Sequence, residues 1–128
     1  MNKRYYLIIV LGLCSSTSLC AQKEVRQFLR KGNTAYKDSL FVDAEIAYRK
    51  AIDNTPKEEI GISYFNLGNS LVNQSKYQEA IKEFAQAANV ETDKNRKAQS
   101  LHNMGVIFQA DQQLDKAKIE RTKQLMNK

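Results

Sequence analysis

Three glycines recur in this sequence at one position of a repeated pattern. Gly32, Gly68 and Gly105 are 36 and 37 residues apart. After each of the first two glycines, an alanine stands 12 residues on, an aromatic residue 16 on and another alanine 19 on: Ala44, Tyr48 and Ala51, then Ala80, Phe84 and Ala87. A repeat of this length predicts an array of stacked units, in which each unit buries its apolar face only against its neighbours.

Within each unit the apolar residues recur at helical spacing, stop at a short polar stretch and recur again, which is typical of a helix pair. Two candidate capping boxes support the boundaries: Thr55 to Glu58, with Pro56 as the first helical residue, and Ser75 to Gln78. No segment has the alternation of a strand. The chain is therefore predicted to be all-α, with helices at 23–37, 41–54, 56–73, 76–89, 94–110 and 113–126.

This pattern resembles the tetratricopeptide repeat family. The second unit carries the family's pattern most fully, in Tyr64, Leu67, Gly68, Leu71, Tyr77, Ala80, Phe84 and Ala87. The first unit carries it in Phe28, Gly32, Phe41, Ala44, Tyr48, Ala51 and Pro56. The third unit begins with Leu101, Met104, Gly105, Phe108, Leu114 and Ala117.

The third unit then departs from the pattern, because Arg121 and Gln124 stand where the family has an aromatic residue and an alanine. The resemblance implies a right-handed superhelix of three helix-turn-helix repeats at about residues 25–58, 61–94 and 98–128, with the last one degenerate. We interpret the cation-rich segment 115–128 as a solvated terminal cap; a basic docking tail is the alternative.

The N-terminus has the order of a secretory signal: the cations Lys3 and Arg4, an apolar run over residues 5–13, and small residues before Ala21. The run is too short to span a membrane. We predict a signal peptide at 1–21, a repeat domain at 22–128, and a location in the periplasm or outer cell envelope. Leu19 directly before Cys20 argues against a lipid anchor there.

The predicted domain contains neither Cys14 nor Cys20, so it has no disulfide. The whole chain has 128 residues, of which 42% are hydrophobic and 27% charged. This composition excludes collagen-like, disordered and multi-span membrane proteins. The formal net charge of +6 is spread along the chain, and export would remove the usual nucleic-acid partner, so we predict no nucleic-acid binding.

In the family that the sequence resembles, the first helix of each pair lines a concave groove that accepts a segment of another protein. The resemblance implies a partner-binding groove lined by Arg26, Arg30, Asn33, Tyr36, Lys37, Phe65, Asn66, Asn69, Asn73, Gln99, His102, Asn103 and Gln109. Asparagine side chains offer both a donor and an acceptor, so a row of them can bind a peptide backbone. The alternative is that these helix faces are polar only because they are exposed.

Some family members bind the C-terminal carboxylate of chaperones through two asparagines and three cations. Asn33 and Asn66 match the asparagines, but Leu29, Gln99 and Asn103 replace the cations. Because the cations supply most of the attraction for a carboxylate, this sequence does not predict such a site.

The sequence predicts no enzymatic activity, no cofactor and no metal site. His102 is the single histidine, without a second histidine or a cysteine at metal-ligand spacing in the predicted domain. No glycine-rich phosphate loop and no nucleophile turn is present. Asp38, Ser39 and Leu40 resemble the tripeptide that is O-glycosylated on serine in Bacteroides-like bacteria; a plain turn capped by Asp38 is the alternative.

We therefore predict an exported adaptor that binds a segment of another protein in its groove and helps to assemble or hold an envelope complex. Its overall plan is similar to the small periplasmic tetratricopeptide proteins of Bacteroidetes that accompany aerotolerance (Bat-type) membrane proteins with a von Willebrand A domain. It would meet the membrane only through a partner. The alternative is a structural scaffold, a homo-oligomer that self-associates through its ends or outer faces.

Overall fold

The computed structural model describes residues 22–56 and 60–126, and for Leu114, Ala117, Lys118, Glu120 and 122–126 it describes the helix but not the side chains. Over these ranges the chain is an all-α helical-repeat solenoid, as the sequence predicts. The helices are α1 (22–37), α2 (Phe41–Asn54), α3 (Gly61–Asn73), α4 (Tyr77–Val90) and α5 (Lys94–Met126). The predicted signal peptide at 1–21 lies outside the described residues.

Each of the first two units closes because an aromatic ring lies against a glycine. A Cβ atom on Gly32 would lie 2.5 Å from Cε1 of Tyr48, and one on Gly68 would lie 2.8 Å from Cε1 of Phe84. Both rings are almost completely buried, at 2% and 0% exposure. A side chain on either glycine would push the two helices apart, so the glycine is what allows α1 to pack on α2 and α3 on α4.

The core continues from one pair to the next. Ala44 of α2, Leu67 and Leu71 of α3, and Ala80 of α4 are fully buried in one cluster. Ile107 of α5 is 5% exposed and joins the same cluster. The stacking of helix pairs that the repeat predicts is thus present up to the first half of α5.

Short turns end α1 and α3 at the same position of the repeat. Ser39 and Ser75, each seven residues after its glycine, have φ angles of 59° and 60°, in the left-handed region. The chain then turns back, and the backbone N–H groups of Leu40 and Lys76 donate to the carbonyl oxygens of Ala35 and Leu71, both at 2.9 Å. Serine favours turns over a helix interior because its hydroxyl competes for backbone hydrogen bonds, although a positive φ is uncommon for a residue other than glycine.

The structure corrects both predicted capping boxes. Pro56 is not helical, and α3 begins at Gly61 with Ile60 before it. The Thr55 hydroxyl donates to the Ala51 carbonyl oxygen, so it closes the end of α2. Ser75 forms the turn described above, and α4 begins at Tyr77 without a side-chain cap.

The largest correction concerns the third unit. The predicted helices at 94–110 and 113–126 are one uninterrupted helix of 33 residues, which is about 50 Å long. The residue seven positions after Gly105 is Gln112, which favours a helix interior more than serine does. The chain therefore does not turn back there, and in the part of the chain that the structure describes nothing lies within 4 Å of a Cβ atom placed on Gly105.

No helix among residues 22–56 and 60–126 is long and apolar enough to cross a membrane.

Candidate functional site: an amide-lined face

Hydrogen bonds between asparagine side chains join α1, α3 and α5 on one side of the solenoid. Asn66 Nδ2 donates to Asn33 Oδ1 at 3.4 Å, which links α3 to α1. Asn103 Nδ2 donates to Asn69 Oδ1 at 3.3 Å, which links α5 to α3. We call the surface formed by Asn33, Asn66, Asn69, Asn73 and Asn103 the amide face; all five residues are among those predicted for the groove.

Asn73 extends the amide face toward the turn that follows α1. Its Nδ2 donates to the hydroxyl of Tyr36 at 3.0 Å and to the carbonyl oxygen of Asn69 at 2.9 Å. The Tyr36 ring packs edge-on against Phe41, with 5.4 Å between the ring centres. Tyr36 is therefore both a contact of the amide face and a part of the packing between α1 and α2.

Tyr48 belongs to this surface although the sequence analysis placed it only in the core. Its hydroxyl donates to Asn33 Oδ1 at 2.8 Å. Burial, and to a smaller extent the neighbouring Tyr36, raises the pKa of the Tyr48 phenol to about 12, so it stays a protonated donor at neutral pH. The sequence contains a signal for this role, because the aromatic position is tyrosine in the first unit and phenylalanine in the second.

A depression of about 200 Å³ opens on the amide face between α1 and α3. It is lined by Asn33, Tyr36, Lys37, Tyr48, Asn66 and Asn69. Five of these six residues were predicted from the sequence. Lys37 is exposed and brings a positive charge to a rim that is otherwise uncharged.

A second depression, of about 170 Å³, lies between α3 and the start of α5. Its lining includes three predicted residues, Phe65, Asn66 and Gln99, together with Ile62 and Arg96. The Phe65 ring is also packed edge-on against Phe84, 5.6 Å between centres, so it serves the core as well. The wall thus has the apolar side chains of Ile62 and Phe65 on the α3 side, next to Asn66, and polar side chains on the α5 side.

Arg96 and Glu91 were missed by the sequence analysis. Arg96 Nε and a terminal nitrogen of its guanidinium donate to the two Glu91 carboxylate oxygens at 2.9 and 3.1 Å. These bonds, together with that from the backbone N–H of Asp93, lower the pKa of Glu91 and keep it ionised. The bidentate pair fixes the guanidinium at the edge of the second depression.

The remaining predicted residues line neither of these two depressions, although Arg26 shares an adjoining cavity with Ile62 and Arg96. Arg26 and Arg30 are exposed at the start of α1, beside Gln22, Lys23 and Gln27. His102 and Gln109 are exposed on α5 and line neither depression. Ser39, the predicted modification site, is exposed in the turn after α1.

Within the described part of the chain, no three His, Cys, Asp or Glu residues lie close enough together to hold a metal ion. The amide face offers donors and acceptors without strong charge. Such a surface is suited to recognising peptide groups or other neutral polar groups.

Comparison with known protein families matches the middle of the chain. Residues 62–93, which span most of α3 and all of α4, match the family model described as tetratricopeptide repeat. No curated protein matches the chain. Repeats of this family are typically non-catalytic modules of protein–protein interaction. The α3 and α4 pair of this solenoid is therefore similar to a tetratricopeptide repeat.

Proposed function

We propose that this protein is an adaptor whose amide face binds a segment of another protein. The observation that carries the proposal is the row of hydrogen-bonded asparagines across α1, α3 and α5. In the described ranges the side-chain oxygen of Asn33, Oδ1, accepts hydrogen bonds from both Tyr48 and Asn66. The two N–H groups of the Asn33 side-chain amide are therefore left to donate to a ligand. Donors of this kind complement the carbonyl groups of a peptide backbone.

The amide face is also held in place before a ligand arrives. Asn66, Asn69 and Asn103 are only partly exposed, and each contacts an asparagine of a neighbouring helix. Side chains that are already ordered lose less conformational entropy on binding than free surface side chains. This favours a role in recognition over the alternative that the face is polar only because it is exposed.

The two depressions suggest what the bound segment contains. The first, beside Lys37, fits a polar or acidic side chain, whereas the second has Ile62 and Phe65 in its wall and fits an apolar one. Asn66 lines both. A ligand segment that crosses Asn66 therefore places one side chain in each depression.

The test is crosslinking of the protein in its native cells, with identification of the attached proteins by mass spectrometry. The triple variant Asn33→Ala, Asn66→Ala, Asn69→Ala should lose the crosslinked partner and keep its helical circular dichroism. The matched control is Gln78→Ala, Gln86→Ala, Asn89→Ala, which removes three exposed amides from α4. Capture of the same partner by both variants would exclude the amide face as the binding surface.

Export belongs to the same proposal. The supporting feature is the order of cations, apolar run and small residues in the first 21 residues. N-terminal sequencing of the protein isolated from a cell envelope should begin at Gln22. We extend the proposal to a role in an envelope complex of the aerotolerance (Bat) type, which rests on similarity of overall plan; co-purification of a protein with a von Willebrand A domain would support it.

The same preparation tests the proposed O-glycosylation of Ser39. The structure shows this residue exposed in a turn, where a glycosyltransferase has access. An intact mass above that of the polypeptide, which returns to the polypeptide mass in Ser39→Ala, is the expected result. A mass equal to the bare polypeptide would end this part of the proposal.

A second candidate function is a self-associating scaffold. The observation that favours it is the exposure of Leu101 and Phe108 on α5, at 51% and 49%. Large apolar side chains that stay in water along one face of a helix mark a surface that another helix covers.

A further inference from the structure

A row of positive charges runs along the α1 side of the amide face. Arg26, Arg30 and Lys37 are separated by steps of four and seven residues, and Asn33 of the amide face lies between the last two in the sequence. At 3.6 residues per turn, these four side chains leave α1 within an arc of about 60°. We call the surface formed by Arg26, Arg30 and Lys37 the basic edge.

The basic edge has no counter-charge among the residues that the structure describes. None of its three side chains forms an ion pair or a hydrogen bond within residues 22–56 and 60–126. Arg26 and Arg30 are one turn apart and line the same depression, so their like charges repel each other. At the same spacing α2 has Glu45 and Arg49, which form an ion pair at 2.9 Å.

The other helices of the amide face do not neutralise this charge. The α3 sequence contains no charged residue, and α5 contains no acidic residue over residues 94–110. Glu24, the one acidic residue of α1, leaves the helix about 180° from Asn33. The carboxylates that pair with Arg49 lie on α2 and α4, the second helices of their units. The basic edge therefore gives the amide face a positive field, which favours an anionic ligand.

The basic edge is a row of charges and not a site for one terminal carboxylate. Some family members bind such a carboxylate through cations at three other positions, and in this chain those positions hold uncharged side chains. The row from Arg26 to Lys37 is about 16 Å long, which an extended peptide covers with about five residues. Arg26 and Arg30 are about 6 Å apart along α1, close to the spacing of alternate side chains on one side of an extended chain.

A cavity connects the basic edge with α3 and α5. Arg26 lines this cavity of about 340 Å³ together with Leu29, Ile62 and Arg96. Ile62 and Arg96 also line the second depression of the amide face. A ligand in this depression therefore has an apolar contact and a neighbouring cation at the same time. A narrow chain can enter such concave sites, whereas a flat anionic membrane surface does not.

We propose that the segment bound on the amide face is extended and acidic, with aspartate or glutamate at alternate positions facing the basic edge. This inference rests on the proposed function and names the chemistry of its ligand. The asparagines donate to the backbone of the segment, while its carboxylates pair with Arg26 and Arg30. Each guanidinium group can donate two hydrogen bonds to one carboxylate.

The first test selects ligands for the full chain from a random decapeptide display library. The selected sequences should be enriched in aspartate and glutamate at every second position. Neutral or basic selected sequences would overturn this inference, and loss of their binding in the variant Asn33→Ala, Asn66→Ala, Asn69→Ala would show that the adaptor proposal still holds. If the wild type selects no peptide, both proposals are contradicted.

The second test measures the Kd of the most enriched acidic peptide by fluorescence anisotropy. The variant Arg26→Gln, Arg30→Gln, Lys37→Gln should raise the Kd by about tenfold or more, and the wild-type Kd should rise with salt concentration more steeply than that of the variant.

The matched control is a variant that loses three exposed lysines outside the basic edge. Lys31→Gln, Lys82→Gln, Lys116→Gln has the same net charge as the basic-edge variant and should bind the peptide within about twofold of the wild type. An equal loss of affinity in the two variants would mean that net charge alone attracts the peptide, which would overturn the role of the basic edge.

The third test separates a peptide ligand from an anionic membrane. The basic-edge variant and the lysine control should sediment to the same extent with vesicles of phosphatidylglycerol, and neither should sediment with vesicles of phosphatidylcholine. A loss of vesicle binding confined to the basic-edge variant would assign this surface to a membrane and overturn the inference.

Discussion

The pair formed by α3 and α4 and the single helix α5 start from the same pattern and end differently. In the pair, Phe84 lies over Gly68 so closely that a Cβ atom there would be 2.8 Å from the ring. In α5, no atom of the described residues lies within 4 Å of a Cβ position on the equivalent Gly105. The residue 16 positions after Gly105 is Arg121, and it is exposed.

This difference shows that the glycine is necessary for a helix pair but does not create one. The pair also needs a residue that leaves the helix seven positions later and an aromatic residue that fills the space over the glycine. The second unit has Ser75 and Phe84 at these positions, whereas the third has Gln112 and Arg121. Without the turn and the ring, the helix continues and its apolar face remains open.

The largest effect is expected when the ring is removed from the closed pair. Phe84→Ala should lower the free energy of unfolding by about 3–5 kcal/mol, because it leaves a cavity in a fully buried site. Arg121→Ala at the equivalent position should change it by less than about 0.5 kcal/mol. Urea unfolding followed by circular dichroism measures both variants against the wild type.

The contrast between the α3–α4 pair and α5 would be contradicted if Phe84→Ala and Arg121→Ala lowered the free energy of unfolding by similar amounts. That result would mean that Arg121 packs over Gly105 in solution and that the third unit closes as the first two do. Helical content in the absence of urea is the control, since both variants should retain it.

A smaller effect is expected at the two glycines. Gly68→Ala should destabilise by about 1–3 kcal/mol, since its Cβ would press on the Phe84 ring. Gly105→Ala should instead stabilise by up to about 1 kcal/mol, because alanine is the better helix former and nothing opposes its methyl group. The two glycine-to-alanine substitutions should therefore change the free energy of unfolding in opposite directions, which urea unfolding measures.

The sequence predicted the first four helices because local and long-range signals agree in them. The apolar spacing and the glycine and aromatic pairs both require helices that turn back after residue 37 and after residue 73. In the third unit the signals conflict: Leu114 and Ala117 continue the repeat, but Gln112 does not favour a turn. Our prediction of a break there followed the repeat, and it was wrong because local helix propensity prevails over a pattern whose aromatic residue is missing.

The repeat explains which residues of the amide face and its surroundings could be located from the sequence and which could not. Asn33, Asn66, Asn69, Asn73 and Asn103 were found because a repeat places them on the same face of successive first helices. The position of Tyr48 in the repeat, 16 residues after Gly32, predicted a core residue. Its ring is indeed buried, but the repeat did not indicate that its hydroxyl donates to Asn33. The contact between Arg96 and Glu91 lies at the loop between α4 and α5. The repeat pattern covers the helices, so it does not predict contacts made by loop residues.

The smallest expected change in the free energy of unfolding is at the junction between the first and second units, and this change depends on pH. Glu45 of α2 accepts hydrogen bonds at 2.9 Å from Lys76 and Gln74, which tie the first unit to the turn of the second. Burial opposes its ionisation, but the hydrogen bonds from Lys76, Gln74 and Arg49 outweigh it, so the pKa of Glu45 lies below its ordinary value of 4.5. At the same offset the second unit has Ile81, so α4 has no such carboxylate to offer α5.

A lowered pKa means that ionised Glu45 stabilises the fold above the pKa of the unfolded chain, and that this contribution is lost as the pH falls through the lower pKa of the folded chain. Glu45→Gln should therefore cost about 1 kcal/mol at pH 7, a figure kept small because Lys76 and Arg49 are partly exposed. The cost should shrink toward zero as the pH falls below 4.5 and through the lower pKa of Glu45 in the folded chain. Glu79→Gln, which removes an exposed carboxylate 3.5 Å from Arg49, is the control and should cost little at either pH. If Glu45→Gln lowers the free energy of unfolding equally at pH 7 and in acid, the side chain stabilises the fold through its packing and not through its charge. The junction between the first and second units would then differ from the junction between α4 and α5 in packing alone.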